Sequence, residues 1–142
     1  MPSEAVFLDT NGWIAPLNAD DHFHSQAAEQ LRAFEADRRP LVTTDWVLAE
    51  TGNGLARVPP RVTFARAVKT FLASPNSRLV RVDTDLFRDA LAMYDRAADK
   101  SWGLVDCASF IVMGREHIVD ALTTDRHFSQ AGFRCLLLPS GD

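Results

Sequence analysis

Short apolar runs alternate with amphipathic stretches along the chain, and that alternation predicts a fold. Residues 5–8 (AVFL) and 41–44 (LVTT) read as buried strands, followed by 79–82 (LVRV), 120–124 (DALTT) and 134–138 (RCLLL). Brief apolar runs bounded by polar residues suit strands covered on both faces. Between them apolar side chains recur at helical spacing: Ala27, Leu31 and Phe34 over 24–37, Ala65, Val68 and Leu72 over 61–73, and Leu86, Ala90, Tyr94 and Ala97 over 84–98. Asp83 or Thr84 can cap the last of these. Pro59-Pro60 ends one helix and starts another, since proline suits a first helical turn. Further helices are expected from about Asn11, from about Asp45, and within SWGLVDCASFIVM at 101–113. Strands alternating with helices imply parallel pairing through right-handed crossovers. The expectation is a three-layer α/β/α fold with a central, mainly parallel sheet of about five strands. In such sheets ligands bind beyond the carboxyl ends of the strands, where the strand order reverses.

Composition changes this picture little. At 142 residues the chain predicts a single domain spanning 1–142. Its 46% hydrophobic and 24% charged residues exclude a disordered or collagen-like chain. No apolar run approaches the roughly 20 residues of a bilayer span, and the N-terminus lacks the basic start and apolar stretch of a secretory signal. A cytoplasmic location, with no membrane partner, is the expectation. Cys107 and Cys135 both lie in apolar stretches, which predicts two buried free thiols in a reducing compartment.

The formal charge of −4 argues at first against a nucleic-acid partner. Its distribution argues the other way. Residues 51–82 carry Arg57, Arg61, Arg66, Lys69, Arg78 and Arg81 and no acid, leaving a net of −10 on the remainder. That asymmetry fits either a positive face on an acidic body or basic side chains scattered over a solvated helix.

Four acids stand in unusual places. Asp9 directly follows AVFL, and Asp125 directly follows ALTT, so each sits where a parallel strand ends; either could simply cap the helix after it. Glu50 follows Trp46 and Val47 by four and three residues, on their face of the predicted helix, whereas position 51 would be neutral ground. An ionised carboxylate on an apolar stripe is costly unless it is paired, for which Arg57 is available, or bound to a metal. Asp106 lies among Leu104, Val105, Cys107 and Ala108. The helix dipole favours an acid there, but a buried acid with no adjacent base asks for a cation. If the four converge, each pair near ~6 Å repels by roughly 3 kcal/mol at an effective dielectric of about 20. Divalent cations or raised pKa values would have to relieve that. Oxygen ligands without a Cys or His cluster point to Mg²⁺ or Mn²⁺ rather than zinc. A carboxylate-held metal does chemistry on phosphates.

The segments LDTN (8–11), VLAET (47–51), SWGLVDCASF (101–110) and TTDRHF (123–128) resemble the signature segments of PIN-domain ribonucleases, most of all the VapC-type toxins of toxin–antitoxin pairs. The likeness runs from residue 6 to about 138. It implies a PIN-like fold, metal-dependent endonucleolytic cleavage of RNA, and a homodimer silenced by a small cognate antitoxin protein. Carried over residue by residue, Asp9, Glu50, Asp106 and Asp125 become the catalytic, metal-binding quartet, with Thr10 and Asn11 as hydrogen-bonding support. Asp9 and Asp106 would be direct ligands, Asp125 would reach the ion through water, and Glu50 would orient water or help hold a second metal. Water would displace the 3′ oxygen, leaving a 5′ phosphate, while the basic 51–82 segment grips RNA phosphates. Gly103, where many relatives carry Ser or Thr, removes a hydroxyl near Asp106.

His22 and His24 are expected at the surface, His117 to complement the dipole near a helix end, and His127 to shape its turn; at least two of Trp13, Trp46 and Trp102 are expected to be buried. A phosphoacceptor domain would need a lysine after a late strand, and none follows Lys100. A haloacid-type phosphatase would need a second acid at Asn11. A purely binding module, in RNA processing for instance, has no reason to gather four acids. A DNA-directed nuclease would use the same metal chemistry.

Overall fold

Strand β1 (Ser3–Leu8) is the middle of a five-stranded sheet, and its position decides where the other elements go. Helices α1 (Thr10–Leu17) and α2 (His24–Ala36) lead to β2 (Leu41–Thr44); α3 (Asp45–Gly54) and α4 (Pro60–Ala73) lead to β3 (Ser77–Val80). The chain then returns through α5 (Thr84–Arg96) and α6 (Leu104–Arg115) to β4 (Ile118–Leu122), and through α7 (Arg126–Gln130) to β5 (Arg134–Cys135). The computed structural model describes residues 2–139. Among these the strand order is β3-β2-β1-β4-β5 and every pairing is parallel. The order reverses between β1 and β4, where Leu8 pairs with Leu122. Right-handed crossovers place α1 to α4 on one face and the returning helices on the other. The helix packing agrees: α1 lies against α2, α3 and α4, while α6 lies against α5 and α7.

The strands are buried on both faces at the centre. Val6, Phe7, Leu8, Val42, Ala121 and Leu122 are nearly inaccessible, which is why they read as continuous apolar runs. LVTT is a strand as expected. The third strand starts two residues before the expected LVRV, the fourth two residues before DALTT, and the fifth is only Arg134–Cys135. Ladder pairing rather than apolarity sets these ends: Leu41 to Thr44 pair with Ser77 to Val80, which aligns the polar Ser77 and Arg78 in the sheet.

Helix faces follow the predicted spacing with two corrections. Ala27, Leu31 and Phe34 do face inward on α2. On α4 the inward stripe is Phe64, Val68 and Phe71, with Ala65 and Leu72 exposed. On α5 it runs Leu86, Ala90 and Met93, and Tyr94 faces out. In both helices the larger or more centred apolar side chains occupy the contact and set the rotation. Asp83 caps α5, its carboxylate accepting from the Leu86 N–H at 2.9 Å. Pro60 opens α4. Trp13 is buried, whereas Trp46 and Trp102 are half-buried, so the expected burial of two indoles is met by one. Both cysteines are free and buried. Among the described residues no helix is long and apolar enough to cross a membrane.

Candidate active site

The reversal of strand order brings two chain segments side by side, and each ends in an acid. Asp9 follows β1 and is only 5% exposed. It occupies the N-cap position of α1, but its side chain makes no capping hydrogen bond. Its Oδ2 instead accepts from the Thr123 hydroxyl, just beyond β4, at 2.8 Å. That same hydroxyl oxygen accepts from the Asp125 N–H at 3.0 Å. Thr123 therefore ties the two strand ends together. Burial pushes the Asp9 carboxyl from its ordinary 3.8 to about 7, with the Asp106 and Asp125 charges adding to the rise and hydrogen bonds from Thr123 and the Thr10 backbone opposing it.

Asp125 does cap its helix, its Oδ1 accepting from the His127 N–H at 2.9 Å. Asp106 sits on the first turn of α6, where its Oδ2 accepts from the Gly103 N–H at 3.0 Å. That bond satisfies one of the free amides of the helix start. Its carboxyl is raised as well, first by burial and then by the Asp125 charge, against the pull of Gly103 and His127. Three acids, from the ends of β1 and β4 and the start of α6, thus feel one another's charge.

Glu50 stands apart from this trio. It is exposed, and the expectation that it lies on the apolar stripe of α3 is overturned. The buried line runs Val47, Thr51 and Leu55, at the i, i+4, i+8 spacing of one helix face. Thr51 belongs to it because its hydroxyl is satisfied by the Val47 carbonyl at 2.7 Å. Glu50 connects to the centre through Thr10, whose hydroxyl donates to Glu50 Oε1 at 3.0 Å. Thr10 is thus hydrogen-bonded to one acid through its side chain and to Asp9 through its backbone.

The expectation that Asp106 has no base beside it is also corrected. His127 Nδ1 lies 3.2 Å from Asp106 Oδ2 and 3.2 Å from Asp125 Oδ1. One atom each from Asp106, Asp125 and His127 falls within 4.8 Å of the others. The carboxylates supply hard oxygen donors, and clustered carboxylates of one sign fit a divalent cation. His127, Thr123 and Ser101, whose Oγ is 3.0 Å from His127 Nε2, are members of the site that sequence reading missed. For His127 a signal existed: two residues after an N-cap aspartate on the first turn, it must lie close to that carboxylate.

The PIN domain family model matches residues 6–134. The chain is similar to the 23S rRNA-specific endonuclease VapC20 of Mycobacterium tuberculosis strains CDC 1551 and H37Rv, with 34% identity over 130 residues, 90% of this chain and 95% of the relative. It is also similar to the crystal structure of Mycobacterium tuberculosis VapC20, a sarcin–ricin loop cleaving toxin. There the TM-score is 0.77 and the identity 32%, over 91% of this chain and 96% of that one. With family model, sequence and fold in agreement over nearly its whole length, this chain belongs to the PIN-domain family, among its VapC-type members.

Proposed function

We propose that this protein is a metal-dependent endoribonuclease and the toxin of a toxin–antitoxin pair, working as one domain. The observation that carries the reading is the burial of the Asp9 carboxyl beside Asp106 and Asp125 at the point where the sheet reverses, which pushes it up to about 7. A protein keeps so costly a group where its charge is used. Asp9, Asp106 and Asp125 would hold the cation, Mg²⁺ or Mn²⁺, with Asp125 contributing through water. Glu50, steadied by Thr10, would orient the attacking water or help hold a second metal. A divalent ion bound there supplies an acidified water and neutralises charge on the phosphoryl group.

The chain's own residues do the rest. Thr123 and the Thr10 backbone both hydrogen-bond the Asp9 carboxylate, which fixes its orientation beside the other acids. Arg57, Arg61, Arg66 and Lys69 are exposed along the segment after α3 and on α4 and would hold RNA phosphates. Arg78, counted with them from the sequence, is engaged by Glu116. Cleavage would leave a 5′ phosphate. The similar toxin is named for 23S rRNA and the sarcin–ricin loop, so that stem-loop is the first substrate to test. A small antitoxin would silence the site by presenting a basic side chain to the acids. A homodimer in the cytoplasm completes the reading, supported by Phe87, Leu91 and Tyr94, which leave an apolar stripe exposed on α5.

The experiment is incubation with a sarcin–ricin stem-loop RNA, a same-sequence DNA and intact ribosomes, with Mn²⁺ or with chelator, and mapping of the cut ends. Metal-dependent cuts with 5′ phosphates that vanish in Asp106→Asn are expected. DNA cut in preference to RNA would favour the DNA-directed alternative, and no cutting above the Asp106→Asn background would defeat the nuclease reading.

A further inference from the structure

The loop 101–103 and helix α7 are clamped to each other beside the acids, and the clamp ends on one imidazole. Trp102 Nε1 donates to Gln130 Oε1 at 3.1 Å, and its ring packs edge-on against Phe110 at 5.0 Å. Phe128, fully buried, packs against Phe110 and Phe7. His127, the residue before it, therefore has little freedom. Its Nδ1 is equidistant from Asp106 Oδ2 and Asp125 Oδ1 at 3.2 Å, and its Nε2 is 3.0 Å from Ser101 Oγ.

An ionised carboxylate only accepts, so the ring nitrogen that hydrogen-bonds Asp106 Oδ2, with Asp125 Oδ1 as near, is the one that carries a hydrogen. In a neutral ring the other nitrogen is then an acceptor, and the Ser101 hydroxyl donates to it. We propose that His127 is a positioning residue, not a ligand. Its Nδ1–H, with the tautomer fixed by Ser101, draws the Asp106 and Asp125 carboxylates together and leaves their remaining oxygens presented to a common cation. This inference rests on the metal-dependent reading above. It also gives the hydroxyl that Gly103 lacks a counterpart two residues earlier, acting on Asp106 through the ring. Groups that orient the carboxylates of a metal site typically change its affinity by about 10- to 100-fold when removed.

The test compares the parent with Ser101→Ala, His127→Ala, His127→Asn and Asp106→Asn, using Mn²⁺ alone as the probe. Affinity is read by calorimetry, the ring tautomer by nitrogen-edited NMR of the metal-free protein, and nitrogen ligation by pulsed EPR of bound Mn²⁺. His127→Ala is expected to weaken Mn²⁺ binding by about 10-fold or more. His127→Asn, whose amide N–H can take the place of Nδ1–H, should restore much of it. In the parent the NMR should show hydrogen on Nδ1, and in Ser101→Ala a mixed tautomer at unchanged melting temperature. No imidazole nitrogen should couple to the ion. A coupled nitrogen would make His127 a ligand and overturn the proposal, as would unchanged affinity in His127→Ala or hydrogen on Nε2 in the parent. If Asp106→Asn loses Mn²⁺ while His127→Ala keeps it, only the positioning role fails. If the parent itself binds no Mn²⁺, the metal-dependent reading fails first.

Discussion

Asp9 shows how one residue can be unfavourable for folding and still fixed by the fold. Its carboxyl titrates near 7 in the folded chain against an ordinary 3.8. The folded state therefore holds its proton more tightly than the unfolded state. The stability Asp9 allows is complete below about pH 4 and declines as pH rises through 7. One pKa unit corresponds to about 1.4 kcal/mol, so the loss by pH 8 is on the order of 4 kcal/mol. Asp9→Asn should melt well above the parent at pH 8 in chelator and close to it at pH 4.5, because the amide keeps an acceptor for Thr123. Added Mn²⁺ should stabilise the parent strongly and the variant weakly. Thermal melts across pH, with and without metal, check both statements; equal melting of parent and variant at pH 8 would contradict them. In the sequence Asp9 and Asp125 look alike, each an acid after an apolar run. Only Asp125 caps its helix, since the Asp9 side chain is turned to Thr123, a partner 114 positions away.

At the scale of elements, the site depends on how closely α1 approaches β4. A Cβ on Gly12 would lie 2.4 Å from the Leu122 carbonyl oxygen and 3.2 Å from Leu122 Cβ. Backbone cannot yield as a flexible side chain does, so Gly12→Ala must push α1 off the sheet. Overpacking of this kind costs roughly 1–3 kcal/mol. Because Asp9 and Thr10 begin that helix, the same shift should also weaken Mn²⁺ binding. Denaturant unfolding and a metal titration of the variant measure the two effects together. A variant as stable as the parent would mean the approach is looser than the structure has it. Helix α3 teaches the complementary lesson. Its apolar composition is plain, but with Trp46 and Val47 adjacent the stripe can pass on either side. Packing selects Val47, Thr51 and Leu55, which turns Glu50 outward.

At the scale of the molecule, the proposed RNA substrate would have to approach an acidic centre, and charge placement bears on whether it can. The overall charge is −4, yet 51–82 carries six basic side chains and no acid. Arg61→Ala with Arg66→Ala should weaken RNA binding and reduce the salt slope by nearly one unit for each phosphate those arginines neutralise. Fluorescence anisotropy at several salt concentrations reads that slope, and an unchanged slope would remove this face from the RNA path. Within β4, Asp120 is buried and gripped by Arg134 and Arg39. Burial alone would raise its carboxyl, but the two guanidiniums hold it below its ordinary value. Asp9 differs in its company: Asp120 is paired by arginines, whereas Asp9 is buried beside other acids.

The sequence by itself determined the alternation of strands and helices, the parallel sheet, the four acids and the strand ends that carry two of them. Those are local properties, set by apolar period and by a polar residue after each run. The tertiary structure decided which acids share a field, that Glu50 connects to the centre through Thr10, and that His127 and Thr123 lie at the cluster. Each of these depends on the rotation of a helix or the register of a strand. Packing between segments far apart in the chain sets both.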